Sequence, residues 1–381
     1  MQISAQLSGI KPSYIREILA ATQAPDMLSL AGGLPASELL PVSQLMQAMA
    51  SLSQSPEVFQ YGETLGYKPL LEFLNARYQL PFDHQAMVCT GSQQAIDLIA
   101  RAYLNPGDTV AMEAPSYLGA LQVFGLAQAA IESIDQTPAG PDLNQLESAF
   151  ASGAIKLFYV VPDFHNPTGV CWSLETRKAV GDLCNRFDVA LVEDVPYREL
   201  RFSGDSLPLV SSFCQNNAFV LRSFSKMSSP GLRLGMVSAP KAWLDELVKI
   251  KQASDLHTGL PMQAVLLSLL QSSEFPKHLD MVRANYKKRY RVLYQALEPL
   301  LGSYCECERV SGGMFVWLRL LNVNAMEVTR ELLDKNVAVV PGNVFYSTPT
   351  GKPSALRLNF THSTFEQLGV AVDRLSNVLT Q

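Results

Sequence analysis

The chain has little of what would staple, anchor or charge a protein. Its 381 residues hold six cysteines, Cys89, Cys171, Cys184, Cys214, Cys305 and Cys307, with no CxxC pair among them. The five histidines show no clustering at metal-ligand spacing. These absences exclude a disulfide framework and a zinc-finger pattern, and leave buried, reduced thiols as the expectation. No apolar run is long enough to span a bilayer, and the opening MQISAQLSGIKPSYIREILA lacks the apolar core and small-residue cleavage pattern of a secretory leader. A cytoplasmic location is the expectation. Charged residues make up only 17% of the chain and sum to a net charge of -5, which argues against a general nucleic-acid-binding surface. No repeat, low-complexity tract or block of like charge marks a tail or linker.

What the chain has is core-forming material: 48% of its residues are hydrophobic. Its length exceeds what one core usually serves, so a large domain, a smaller one and a cleft between them are expected. The middle of the chain alternates short apolar runs with amphipathic stretches, the pattern of an α/β layered domain. Positions 108–114, 155–161, 189–192 and 219–222 read as buried strands of a mainly parallel sheet. Positions 93–104 and 174–187 read as flanking helices, the second with Ser173 as N-cap. Beyond them a strand is expected over 231–238 and a long helix over about 274–300. The last third reads as a smaller α+β domain: strands at 313–320, 337–340 and 355–359, a helix near 325–335 and a final helix from Thr364. The domain change is placed near Met281, giving 41–280 and 281–381.

Chemistry should sit on the loops that follow the strands. Ser223-Phe224-Ser225-Lys226 follows one of them, and Arg233 comes seven positions after Lys226 in the Gly-rich stretch Pro230 to Gly235. A lysine there can form an imine with an aldehyde cofactor, while two hydroxyls and a guanidinium can hold a phosphate. As a lone residue it would read as a solvated surface lysine. Thr90-Gly91-Ser92-Gln93-Gln94 opens a helix whose N-terminus favours an anion, although a serine there is more often an ordinary cap. Asp194, ending its strand ahead of Tyr197, can keep a pyridine nitrogen protonated. Adjacent strand residues face opposite ways, so its neighbour Glu193 reads as a water-exposed acid at the loop entry. In the turn His165-Asn166-Pro167-Thr168-Gly169, Asn166 can donate to a phenolate oxygen. His84, His257, His278 and His362 read as structural or surface groups, and His165 as a residue that shapes its turn.

The ordered set of Asn166-Pro-Thr-Gly, Asp194 with Tyr197, and Ser223-x-Ser-Lys226 with Arg233 resembles the fold-type I aminotransferases, which depend on pyridoxal 5'-phosphate. Ser-Tyr-Ile-Arg-Glu-Ile-Leu near the N-terminus and Ala31-Gly-Gly-Leu-Pro35 are similar to the subgroup of 2-aminoadipate and kynurenine aminotransferases, and the likeness covers essentially the whole length. The resemblance implies that Lys226 carries the cofactor, Asp194 pairs with its ring nitrogen, and Asn166 with Tyr197 bonds its ring oxygen. It implies that Tyr117 stacks on the ring, that Ser92, Gln93, Ser223, Ser225 and Arg233 form the phosphate cup, and that Tyr61 reaches the phosphate of a neighbouring subunit in a homodimer. Arg357 would grip the substrate α-carboxylate. Residues 1–40 would form a segment closing over the site, in which Gly33 and Arg16 help choose the substrate side chain. The implied reaction is ping-pong transfer from an L-amino acid to a 2-oxo acid, 2-oxoglutarate above all. Two alternatives stay open: a β-lyase or decarboxylase using the same cofactor, and a ligand-sensing domain of the kind fused to DNA-binding regulators. Against the second stands a likeness that begins within the first twenty residues.

Overall fold

The structure is a computed structural model that describes residues 3, 4, 7, 18, 26–348 and 351–380. In chain order its strands are β1 (Leu28–Ser29), β2 (His84–Cys89), β3 (Thr109–Ala114), β4 (Ala130–Thr137), β5 (Gly140–Pro141), β6 (Ile155–Val160), β7 (Ala190–Asp194), β8 (Ala218–Ser223), β9 (Gly235–Pro240), β10 (Cys305–Glu306), β11 (Phe315–Leu320), β12 (Val337–Ala338), β13 (Val340–Pro341) and β14 (Ala355–Asn359).

Eight of these form one sheet in the order β2-β9-β8-β7-β6-β3-β4-β5. Its centre, from β8 through β7, β6 and β3 to β4, is parallel. Strand β9 runs antiparallel to both of its neighbours, and β5 to β4. The central strands are buried on both faces, which is why they read in sequence as apolar runs rather than alternations. Helix Ser92–Tyr103 turns Ala95, Ile96, Leu98, Ile99 and Ala100 into the core. Helix Leu174–Phe187 starts where Ser173 Oγ accepts the Thr176 N–H at 3.1 Å, the expected cap. Parallel strands bring the carboxyl ends of β3, β6, β7 and β8 to one edge, where α/β sheets bind ligands.

A smaller antiparallel sheet, β10-β11-β14-β13, carries the C-terminal third. Helix Glu274–Leu297 passes position 281 without a break. Three expectations are corrected here. The strand expected over 231–238 starts only at Gly235, because Pro230–Leu232 form a 3-10 turn and Arg233 takes the left-handed conformation at φ 53°. Gly235 cannot bear a side chain: a Cβ would lie 2.7 Å from Gly91 C and 2.8 Å from Ser92 N, so β9 packs directly against that loop. The long helix ends at Leu297, with a 3-10 turn over Glu298–Leu300, since Pro299 cannot continue it. The run 337–340 is two strands: β12 pairs with β1, while β13 joins the small sheet at its edge, where Pro341 has no N–H to offer.

Candidate active site

A cavity of about 480 Å³ opens at the carboxyl ends of the parallel strands. Gly33, Ser92, Gln93, Tyr117, Asn166, Asp194, Tyr197, Ser223, Ser225, Lys226, Arg233 and Arg357 all line it, although they come from separate parts of the chain. Tyr61 does not line it. That side chain is 80% exposed and meets the His257 ring edge-on at 6.1 Å. Arg16 lies outside the described residues.

Lys226 follows β8, and its Nζ donates to Gly33 O at 2.8 Å. Burial, with the charges of Arg233 and Arg357 adding to it, lowers the ammonium from 10.5 to about 8. Asp194 is buried at the end of β7, where the Tyr159 hydroxyl donates to its Oδ2 at 3.1 Å. Its Oδ1 has no partner. Burial pushes this carboxyl up to about 7, against the hydrogen bond from Tyr159. A buried carboxylate with one oxygen unmatched suits a protonated nitrogen facing it.

Glu193 faces the other way, as the strand's alternation requires, but it is not a water-exposed acid. It is fully buried, and its two oxygens accept the Val210 and Ser211 N–H groups, each at 2.9 Å. The surrounding apolar layer leaves a carboxylate room only if the backbone supplies donors. Cys171 and Cys307 depart from the expected burial too, being partly exposed, while the other four thiols are buried. His165 does more than shape a turn: wholly buried, it meets Thr168 Oγ1 through Nδ1 at 3.1 Å and lies 3.6 Å from Glu113 Oε2.

Arg357 is buried on β14, under the Phe315 ring at 4.5 Å. Its Nη1 donates to Asn166 Oδ1 at 2.9 Å, its Nη2 to Ala31 O, and its Nε to nothing. Burial lowers it to about 10. Arg233 turns its guanidinium toward Gly91, where a Cβ would approach Nη2 to 3.0 Å. Neither arginine has a carboxylate partner among the described residues. The cavity thus gathers Lys226 and two unpaired guanidiniums around one acid, which fits ligands carrying a phosphate and a carboxylate.

Gln93 is committed through its side chain, accepting from Tyr117 OH at 3.0 Å and donating to Gly119 O at 2.9 Å. Sequence reasoning missed Tyr159, Leu118, Gly119, Gln122, Val161, Pro196 and Pro230 on the cavity wall. Tyr159 was absorbed into an apolar strand, and only its two-residue offset from Val161 could have hinted at a shared face.

Among the described residues, no His, Cys, Asp and Glu are grouped to hold a metal, and no helix is long and apolar enough to cross a membrane. A family model described as aminotransferase class I and II matches residues 25–375. The chain is 37% identical to a 2-aminoadipate transaminase of Thermus thermophilus, over 97% of this chain and 94% of the relative. It is 32% identical to an aromatic-amino-acid aminotransferase of Thermococcus litoralis, over 99% and 94% respectively. A Pyrococcus horikoshii kynurenine aminotransferase, solved in complex with PMP, superposes with a TM-score of 0.94 at 31% identity, covering 99% of this chain and 96% of that one. The chain belongs to the class I and II aminotransferases and is a fold-type I enzyme that depends on pyridoxal 5'-phosphate.

Proposed function

We propose that this enzyme moves the amino group of an L-amino acid to a 2-oxo acid, principally 2-oxoglutarate, by a ping-pong mechanism in which Lys226 is both covalent anchor and proton carrier. The observation that carries the reading is the union in one cavity of a lysine lowered to about 8, the unmatched Oδ1 of Asp194 and two unpaired guanidiniums. When bound, pyridoxal phosphate supplies an electron sink for the carbanion at the substrate α-carbon.

Asp194 Oδ1 would hold the proton on the ring nitrogen. Asn166 Oδ1 is already taken by Arg357 Nη1, so its amide N–H and the Tyr197 hydroxyl are left to donate to the ring oxygen. The Tyr117 ring would cover the ring face. Ser92 and Gln93 are the first residues of their helix, whose backbone N–H groups lack intrahelical partners, and with Ser223, Ser225 and Arg233 they suit a phosphate. Since the Gln93 amide is committed elsewhere, its backbone would be the part that binds. Lys226, displaced by the incoming amine, would take the α-proton at Nζ and return it. Arg357 would exchange its amide and carbonyl partners for the substrate α-carboxylate, a stronger, charged acceptor.

Residues 1–40 would close over the site, with Gly33 and Arg16 bearing on the substrate side chain. A guanidinium at Arg16 would pair with a distal carboxylate and, by swinging away, leave room for an apolar one. The names of the relatives, acidic in one case and aromatic in two, agree with donors of both kinds. Tyr61 would complete the cofactor site of a second copy in a homodimer. Its exposure, together with that of Phe59, Met46 and Val42, supports this. The enzyme would work in the cytoplasm.

The test is to incubate the holoenzyme and 2-oxoglutarate with a panel of amino acids and measure glutamate. Glutamate from acidic and aromatic donors is expected. Pyruvate and ammonia without glutamate would replace this reading with a lyase.

A further inference from the structure

Lys251 is 0% exposed on helix Lys241–Ser254 and lies outside the cavity lining. A buried ammonium is costly unless paired and hydrogen-bonded, so its partners indicate what it does. Its Nζ donates to Gln94 Oε1 at 3.0 Å and to the two oxygens of Asp255 at 2.9 and 3.0 Å. Gln94 Oε1 accepts a second bond, from the Thr90 N–H at 2.8 Å, and Gln94 Nε2 donates to Asp255 Oδ2 at 2.7 Å. The amide can face only one way. Flipped, its NH₂ would meet both the ammonium and the Thr90 N–H, and its oxygen would meet the carboxylate. Burial alone would raise the Asp255 carboxyl, but bonds from Gln94 and Lys251, with the Lys251 charge, hold it below its usual range.

The loop gains a defined set of donors. Gln94 takes the Thr90 N–H and Cys89 O takes the Gly91 N–H at 2.9 Å, so the first N–H groups left for a ligand are those of Ser92 and Gln93. We propose that Lys251, Gln94 and Asp255 form a positioning cluster that fixes the loop Thr90-Gly91-Ser92 for the cofactor phosphate, acting on the phosphate end of the cofactor and not on its ring. This rests on the assignment of that loop to the phosphate under Proposed function.

The experiment compares the affinity of the apoprotein for pyridoxal 5'-phosphate and for pyridoxal, which lacks the phosphate, by equilibrium dialysis. Lys251→Met and Gln94→Met are the test variants, and Arg233→Ala is the control from the phosphate cup itself. Gln94 is partly exposed, so its variant carries the test should Lys251→Met fail to fold. Both test variants are expected to weaken pyridoxal phosphate about tenfold while leaving pyridoxal within about twofold. If both ligands weaken equally, the cluster only supports the fold and the proposal is overturned; no change in either overturns it as well. Should Arg233→Ala also show no phosphate-specific loss, the phosphate assignment itself has failed, and the proposal falls with it.

Discussion

Capture of the cofactor should depend on pH in a way set by the surroundings of Lys226. Only the neutral amine can attack an aldehyde. At pH 7, a lysine at the ordinary 10.5 leaves about one amine in 3,000 neutral, whereas one at about 8 leaves about one in ten. Burial is the main cause of the shift, and the charges of Arg233 and Arg357 add to it. Stopped-flow mixing of apoprotein with pyridoxal phosphate should give a second-order rate rising tenfold per pH unit and levelling near pH 8. Arg357→Met should move the break upward, by less than the whole shift because burial remains. The sign for stability follows from the same proton. The folded value lies below the unfolded one, so between about 8 and 10.5 the unfolded chain binds the extra proton. The group therefore costs the apoprotein most below about 8, and that cost falls as the pH rises toward 10.5. A rate that climbs without a break to pH 10 would refute the reasoning.

Asp194→Asn should slow single-turnover transamination severely while leaving urea stability near that of the parent. Glu193→Ala should instead lose about 2–4 kcal/mol of stability, because it strands one buried and one part-buried backbone donor, and equal kinetic losses in the two variants would contradict their opposite facing. Arg357→Met should lower kcat/KM about 100- to 1000-fold. Its thermal stability should not fall, since a buried cation without a carboxylate partner is removed, and a stability loss as large as that of Glu193→Ala would refute this. Mixing Tyr61→Phe chains with Lys226→Ala chains should put both lesions in one site of a dimer and leave the other intact, whereas a monomer that keeps full activity in sedimentation refutes the shared site. Arg16→Ala should reduce kcat/KM for acidic donors alone, and an equal effect on every donor would assign Arg16 to folding or closure.

The sheet was legible in the sequence because its central strands are buried on both faces and therefore appear as uninterrupted apolar runs. The site residues were legible for a related reason. Lys226 and Asn166 follow strand ends and Asp194 closes one, where parallel topology leaves loops free to carry chemistry, and each residue type suits its neighbours. The failures share a cause as well. The two strands within 337–340 look like one because local propensity does not say which sheet a strand joins. Glu193 looked exposed because its donors, Val210 and Ser211, lie seventeen and eighteen residues away in the chain. Lys251 carries no local signal of its role, for its partner Gln94 stands 157 positions earlier. Local pattern is a matter of period and neighbour type, and the sequence by itself determined the strands, the helices and the kinds of residue at the strand ends. Only the tertiary structure decided which charges lost their water and what replaced it, because burial and pairing are set by segments that meet in space and not along the chain.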